Sequence, residues 1–320
     1  MIEHLTKFAF AVNIHRNLIY FIMQTGFLNV RRKNTLREVV VQTDNAMKET
    51  RVPIGSVVSL WRYPIKSMMG EELNSSYMTG RGLSGDRSYG LIDQETGKVA
   101  SAKNPRIWGK LFDFRAAFID PPQLTENIPP VRITFPDGTN IFSDDDNIDP
   151  TLSKVLGRDV KIMRASLEKP SYEEYWPDIE GLAQREKVTD EGMPSESFFD
   201  IAVIHILTTS TINHLRELYP EGRFEVRRFR PNIVIESKSG EKDFIENLWV
   251  GKKISIGEEI LLRVTGPCTR CVMTTLPQGD LPKDLGILRT VARYNQVTAG
   301  VYASVERGGK IQRMDSVWME

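Results

Sequence analysis

The sequence predicts a mainly β protein, a β-rich α+β chain of two units with a few short helices, and three observations carry that prediction. Short runs of β-branched and aromatic residues recur from residue 52 onward between Gly, Pro, Asn and Asp. Stretches with apolar residues at helical spacing are few. The 320 residues also exceed what one hydrophobic core ordinarily holds, which points to about two domains. Taken in order, strands are expected at 57–63, 87–92, 112–118, 131–135 and 160–163. Later ones follow at 232–235, 254–256, 260–264, 272–275 and 298–305. Gly-Leu-Ser-Gly at 82–85 and Pro-Asp-Gly at 136–138 mark turns, because glycine supplies positive φ and proline presets φ. Helices are expected at 211–218, with Thr209 or Ser210 as N-cap, and at 282–294, where Leu285, Leu288 and Val291 keep helical spacing. The polar, proline-bearing stretch 166–196 reads as a linker or active-site loop. It divides an extension (1–50) and a first β unit (51–165) from a second (197–320).

Composition narrows the function. Lys+Arg and Asp+Glu are both 42, so the net charge is zero, which argues against a chain built around a nucleic-acid backbone. Two cysteines cannot make a disulfide scaffold, a four-cysteine zinc site or an iron–sulfur cluster held by four thiolates, and they suit a reducing, cytoplasmic compartment. Residues 5–30 are apolar (Phe8, Phe10, Leu18, Phe21), but Lys7, His15 and Arg16 interrupt them, and no run approaches the roughly 18 residues of a bilayer span. No small-residue cleavage site follows them. A peripheral anchor, a dispensable extension and a start placed ahead of Met47 are the three readings, and the dispensable extension is preferred.

The residues able to do chemistry fall in four short segments. Gly266-Pro267-Cys268-Thr269-Arg270-Cys271 holds both cysteines of the chain. The C-x-x-C spacing suits a dithiol redox pair, half a zinc site, one thiolate on a soft metal with Arg270 favouring deprotonation, or simply two buried core thiols. Arg227-Arg228-Phe229-Arg230-Pro231-Asn232 puts three arginines in four positions, an arrangement suited to bidentate binding of phosphate or carboxylate, or to a solvated strand edge. Tyr63-Pro64-Ile65-Lys66-Ser67 offers an ammonium, a hydroxyl and backbone N–H groups at a strand end. Gly85-Asp86-Arg87 reads equally as a ligand site or a local ion pair. Asp144, Asp145, Asp146 and Asp149 lack the glycine and closing glutamate of an EF-hand and read as a solvated turn. His205 and His214, nine residues apart, are assigned to core or helix surface. The phosphate-loop, Rossmann and G-x-S-x-G patterns do not occur.

In combination and in this order, Tyr-Pro-Ile-Lys-Ser, Gly-Asp-Arg, Phe-Arg-Pro-Asn and Cys-Thr-Arg-Cys resemble the molybdenum cofactor sulfurase C-terminal (MOSC) family. They resemble most its branch with an N-terminal β-barrel domain, which contains the mitochondrial amidoxime-reducing component and bacterial relatives. The resemblance runs from about residue 52 to the C-terminus and includes Phe199-Asp200 and Leu248-Trp249-Val250-Gly251. It implies a β-barrel-like N-terminal domain packed against a MOSC β-barrel domain, with the molybdenum cofactor bound between them. It also implies that Cys271 ligates molybdenum and that Lys66, Ser67, Arg87, Arg230, Asn232, Thr269 and Arg270 contact the cofactor. Cys268, Arg227 and Arg228 receive no role. The implied reaction is a two-electron reduction of N-hydroxylated substrates (amidoximes, hydroxylamines, N-hydroxylated bases). The chain has no thiols left for a cluster of its own, so electrons are expected from a separate ferredoxin-, flavoprotein- or haem-type protein. The alternative is a non-redox module carrying cofactor or sulfane sulfur on Cys271. No residue singles itself out for pyridoxal phosphate.

Overall fold

A computed structural model describes residues 51–123, 128–238, 240 and 242–320, so the apolar stretch 5–30 and Met47 lie outside the described residues. In chain order come β1 (Val52–Arg62), β2 (Glu71–Leu73), β3 (Ser75–Thr79), β4 (Gly82–Leu83), β5 (Tyr89–Asp93), β6 (Arg115–Phe118), β7 (Val131–Thr134) and β8 (Asn140–Phe142). Helix α1 (Ile148–Leu156), β9 (Val160–Arg164) and the hairpin β10 (Ser171–Trp176) and β11 (Lys187–Gly192) follow. The last part supplies β12 (Ile204–Thr208), α2 (Thr209–Leu218), β13 (Ile233–Ser237), β14 (Lys253–Ile256) and β15 (Ile260–Thr269). It ends with α3 (Leu285–Asn295), β16 (Thr298–Arg307), β17 (Gly309–Gln312) and β18 (Ser316–Met319).

Seven of these strands close a barrel in the order β1-β13-β12-β16-β15-β14-β18 and back to β1, with β2 along one side of β1. All neighbours are antiparallel except β12 and β13. Alternation of side chains along each strand fills the interior: Ile254 and Ile256, Ile260, Leu262 and Val264, and Val301 and Ala303 all point into one apolar cluster. Each such Ile, Leu or Val contributes about 1.5–3 kcal/mol by burial. A second cluster gathers Leu91, Trp108, Phe114, Ile133 and Leu152 around β5–β9 and α1.

β1 crosses the expected division of the chain. It pairs through Val57↔Ile235 and Leu60↔Ile233 with β13, and with β18 on its other side, so a strand from the 51–165 segment completes the C-terminal barrel. Residues 166–196 contain the β10–β11 hairpin, in which Ser171 opposes Gly192 and Trp176 opposes Lys187.

The expected strand at 272–275 is instead a 3₁₀ turn, Val272–Thr275, closed by Thr274 N–H donating to the Cys271 carbonyl at 3.2 Å. Its β-branched composition suits a strand, but the β15–β16 ladder ends at Thr269↔Thr298, leaving no partner backbone. At 112–118 the strand begins only at Arg115, after the 3₁₀ turn Gly109–Asp113. Helix α2 is capped by Thr208, whose hydroxyl accepts from Thr211 N at 3.1 Å, while Thr209 and Ser210 lie in the first turn. The described residues include no helix long and apolar enough to cross a membrane.

Candidate functional site

Four chain breaks in regular structure meet at one cavity. β1 ends at Arg62, and the chain turns through Lys66 and Ser67; β5 is preceded by Arg87; the short helical turn Val226–Phe229 is followed by Arg230 and Asn232; and β15 runs out into Thr269, Arg270 and Cys271. All eight of these side chains line a cavity with about 740 Å³ of space free of protein atoms, including its open mouth. Three of them, Ser67 (φ 64°), Arg87 (φ 48°) and Arg230 (φ 53°), hold the left-handed backbone conformation that L-residues with a Cβ seldom adopt. Such positions cost about 1–3 kcal/mol each, and here they share one wall.

The electrostatics are those of an anion site. Five cationic side chains line the cavity: Lys66, Arg87, Lys103, Arg230 and Arg270. Three carboxylates answer them. Asp86 pairs with Arg87, Asp200 bridges Lys66 and Lys103, and Glu174 pairs with Lys103 at 3.0 Å. Two positive charges are left over. Arg230 gives Nη1 to the Met68 carbonyl at 2.7 Å and lies over the Tyr63 ring at 4.1 Å. Burial, with Arg87 nearby, lowers its pKa to about 10. Arg270 donates to Cys268 Sγ at 2.7 Å and to the Phe229 carbonyl at 2.6 Å, and its buried Nε has no partner.

The remaining wall residues are held firmly. Lys66 Nζ donates to Phe198 O at 3.0 Å and to Asp200; burial lowers its pKa. Burial also opposes the charge on Lys103, but Asp200, Cys271 and Glu174 outweigh it and raise this pKa well above the usual lysine value. Asp200 is itself held well below the usual carboxylate range, because Lys103 and Lys66 overcome the effect of burial. Ser67 Oγ accepts from Ala102 N at 3.0 Å. Asn232 Oδ1 accepts from His205 N at 3.1 Å and its Nδ2 donates to Asp86 at 2.8 Å, so it positions the carboxylate that positions Arg87. Thr269 is exposed. Cys271 is a free, half-buried thiol whose pKa burial raises to about 11, against the pull of Lys103.

Sequence reasoning missed Lys103, Glu174 and Tyr172. Lys103 Nζ meets the Tyr172 hydroxyl at 2.8 Å, and Tyr172 and Glu174 stand on β10, inside the segment expected to be a linker or active-site loop. Three aromatic residues of high strand preference in six, Tyr172, Tyr175 and Trp176, were the available strand signal. His205, expected in core or helix surface, is buried on β12 and lines the cavity; burial and the nearby Arg270 lower its pKa to about 3, so it is neutral. His214 packs edge-on to Phe244. Arg228 lies outside the cavity lining and is fully buried, donating to the carbonyls of Arg223, Thr274, Leu276 and Pro282. Arg227 pairs with Asp280 and Glu225. Asp145 and Asp149 accept from Phe142 N and Ile162 N, as turn and helix-end residues do.

The family models fall on the same architecture. That of the MOSC domain matches residues 195–318, and that of the MOSC N-terminal beta barrel domain matches residues 54–116. The chain is a MOSC-domain protein. This MOSC protein is 23% identical over 302 residues to mitochondrial amidoxime reducing component 2 of Rattus norvegicus, covering 83% of each chain. It is 24% identical over 299 residues to mitochondrial amidoxime-reducing component 1 of Homo sapiens, again over 83% of each. It is also 24% identical over 298 residues to molybdenum cofactor sulfurase of Bos taurus; that match takes 82% of this chain but spans only 32% of the sulfurase. Among solved structures, the YuaD protein of Bacillus subtilis aligns with TM-score 0.42 at 13% identity, over 84% of this chain and 97% of the other.

Proposed function

We propose that this MOSC protein holds a molybdenum cofactor in the cavity through Cys271 and reduces N-hydroxylated compounds, with electrons supplied by a separate ferredoxin-, flavoprotein- or haem-type protein. One observation carries the reading: a free thiol stands in the wall of a cavity whose buried cations outnumber their carboxylates. The names of the amidoxime-reducing relatives agree with it.

The residues present fit an anionic, metal-bearing pterin. A thiolate is a soft ligand, and the unpartnered Arg270 Nε and the carboxylate-free Arg230 supply charge-assisted donors for a phosphate and pterin ring. Lys66, Ser67, Arg87, Asn232 and Thr269 complete the set around them. When bound, the group supplies two-electron redox chemistry and an acceptor for oxygen. The chain supplies the rest. Its buried cations replace water around a polyanion and are pre-oriented by Asp86, Asp200 and Asn232. The raised pKa of Cys271 means that metal loading releases a proton from this thiol near neutral pH. In the overall reaction the N–O bond breaks, an N–H bond forms, and the oxygen leaves as water. Two protons come from solvent and two electrons from the partner protein.

The test is molybdenum content and amidoxime reduction of protein from a cofactor-competent host, wild type beside Cys271→Ser. Near-stoichiometric metal and reduction of benzamidoxime in the wild type, both lost in the variant, are expected. Equal metal in both proteins overturns Cys271 as ligand. The similarity to the bovine sulfurase favours a second reading, sulfane sulfur carried on Cys271; it predicts a persulfide at Cys271 and little molybdenum.

A further inference from the structure

We propose that a groove adjoining the cavity binds the phosphomonoester end of an N-hydroxylated substrate of about nucleotide size. The reacting end of that substrate rests on the reductase reading above; the anion site rests on the groove itself. The groove measures about 870 Å³ and shares Arg87, Phe199 and Ile201 with the cofactor cavity, so the two adjoin at these residues. Its size is that of an ordinary small-molecule site.

Gly80, Arg81, Leu83, Ser84 and Gly85 form one wall, overlapping the Gly-Leu-Ser-Gly turn at 82–85 that the sequence marks. Close packing fixes it. A Cβ on Gly82 (φ +97°) stands 2.7 Å from the Val203 carbonyl oxygen, and one on Gly85 (φ +81°) stands 2.5 Å from the Phe118 ring. Arg81 is therefore presented from a braced turn rather than from a loose loop. Arg164, at the end of β9, lines the same groove.

The charges of these two arginines are unspent. Among the described residues no carboxylate pairs with either. Arg164 meets neutral groups, Tyr89 Oη at 3.3 Å, Ile128 O at 3.4 Å and the Tyr89 ring at 5.7 Å, the two hydrogen bonds near the long limit. The contrast within the same fold is plain: Arg158 pairs with Asp93 and Glu95, and Arg223 with Glu225 and Asp280. Two acidic residues also line the groove. Asp86 is spent on Arg87, Asn232 and Tyr63 N; Glu196 is not, so Arg81 and Arg164 together outweigh it by one charge. Two apolar residues, Phe199 and the 63% exposed Ile201, line both the groove and the cofactor cavity. Apolar surface in a groove with two guanidiniums that no carboxylate holds suits a planar body with a dianionic tail. The cofactor's own phosphate has the same chemistry, but Arg230 and Arg270 already offer it donors in the inner cavity.

The experiment is titration calorimetry of the metal-loaded protein with AMP and with adenosine, wild type beside the Arg81→Gln/Arg164→Gln double variant. AMP is expected to bind at least about ten-fold more tightly than adenosine, and the variant is expected to lose that preference while keeping its molybdenum content. Turnover of an N-hydroxylated adenine nucleotide should exceed that of its nucleoside in kcat/KM by a similar factor. Equal affinity for AMP and adenosine in the wild type, or a preference that survives in the variant, overturns the proposal. A preference present in metal-free protein but gone in loaded protein assigns the anion site to the cofactor's phosphate and also overturns it. If the reductase reading alone fails, the protein lacks molybdenum and turns over neither N-hydroxylated compound, yet the AMP preference persists and the anion groove stands.

Discussion

Arg228 and Arg230 are two residues apart, both are buried, and they do opposite things. Arg228 sits within the helical turn Val226–Phe229 and spends its guanidinium on four backbone carbonyls from 223, 274, 276 and 282, which ties the turn to the 3₁₀ segment after Cys271. Arg230 follows in a left-handed conformation, faces the cavity, and meets one carbonyl and two aromatic rings. The first is a clamp whose hydrogen bonds are complete. The second is strained, under-partnered and beside other cations, which is how a group waiting for an anion is held. Burial alone therefore does not separate structural from functional charge; what the charge has been given as partner does.

The largest effect expected is on the clamp. Arg228→Met leaves four carbonyl groups without this donor, two of them buried, and should destabilise the protein by about 3–5 kcal/mol, read as a fall in denaturation midpoint. Arg230→Met replaces an under-partnered buried cation by an apolar chain of similar length, and its stability should stay within about 1 kcal/mol of the wild type. Its molybdenum retention should nonetheless fall. If both variants lose stability equally, Arg230 is a second clamp and the contrast drawn above is wrong.

What could be read from the sequence divides along the same line. The residues of the cavity were legible because each stands in a short, compositionally odd segment: Lys66-Ser67 at a strand end, Arg87 after a glycine turn, Arg230 before proline, Cys271 in the only cysteine pair. Lys103 and Glu174 were not, since a single lysine and a single glutamate in ordinary surroundings acquire meaning only when β10 folds over residue 103. The mainly β class was readable from composition and punctuation, but closure of the barrel was not. It depends on β1 meeting β18 across more than two hundred residues, and no local pattern records a pairing that distant. At 272–275 the local pattern favoured a strand, and the end of the neighbouring ladder overrode it.

His205 offers a finer test of the cavity's positive surplus. It lies on β12 with its Nε2 3.2 Å from the Ala299 carbonyl oxygen, and burial together with Arg270 lowers its pKa from 6.5 to about 3. Because the folded value lies below the unfolded one, the unfolded chain binds the extra proton between those two pH values. The stability owed to neutral His205 is complete above pH 6.5 and is lost as pH falls toward 3, by a few kcal/mol in all. His205→Gln should flatten this part of the acid limb in a denaturation series run at successive pH values. The cofactor adds a further turn. An anion in the cavity would offset the repulsion from Arg270 and Arg87, raise the His205 pKa and shrink the acid loss, so metal-loaded wild type should be less acid-sensitive than metal-free wild type, with a smaller difference in Arg230→Met, which is expected to retain less cofactor. An acid limb identical in loaded and metal-free protein would mean that no anion settles against this strand, and the two positive charges left over in the cavity would then need another explanation.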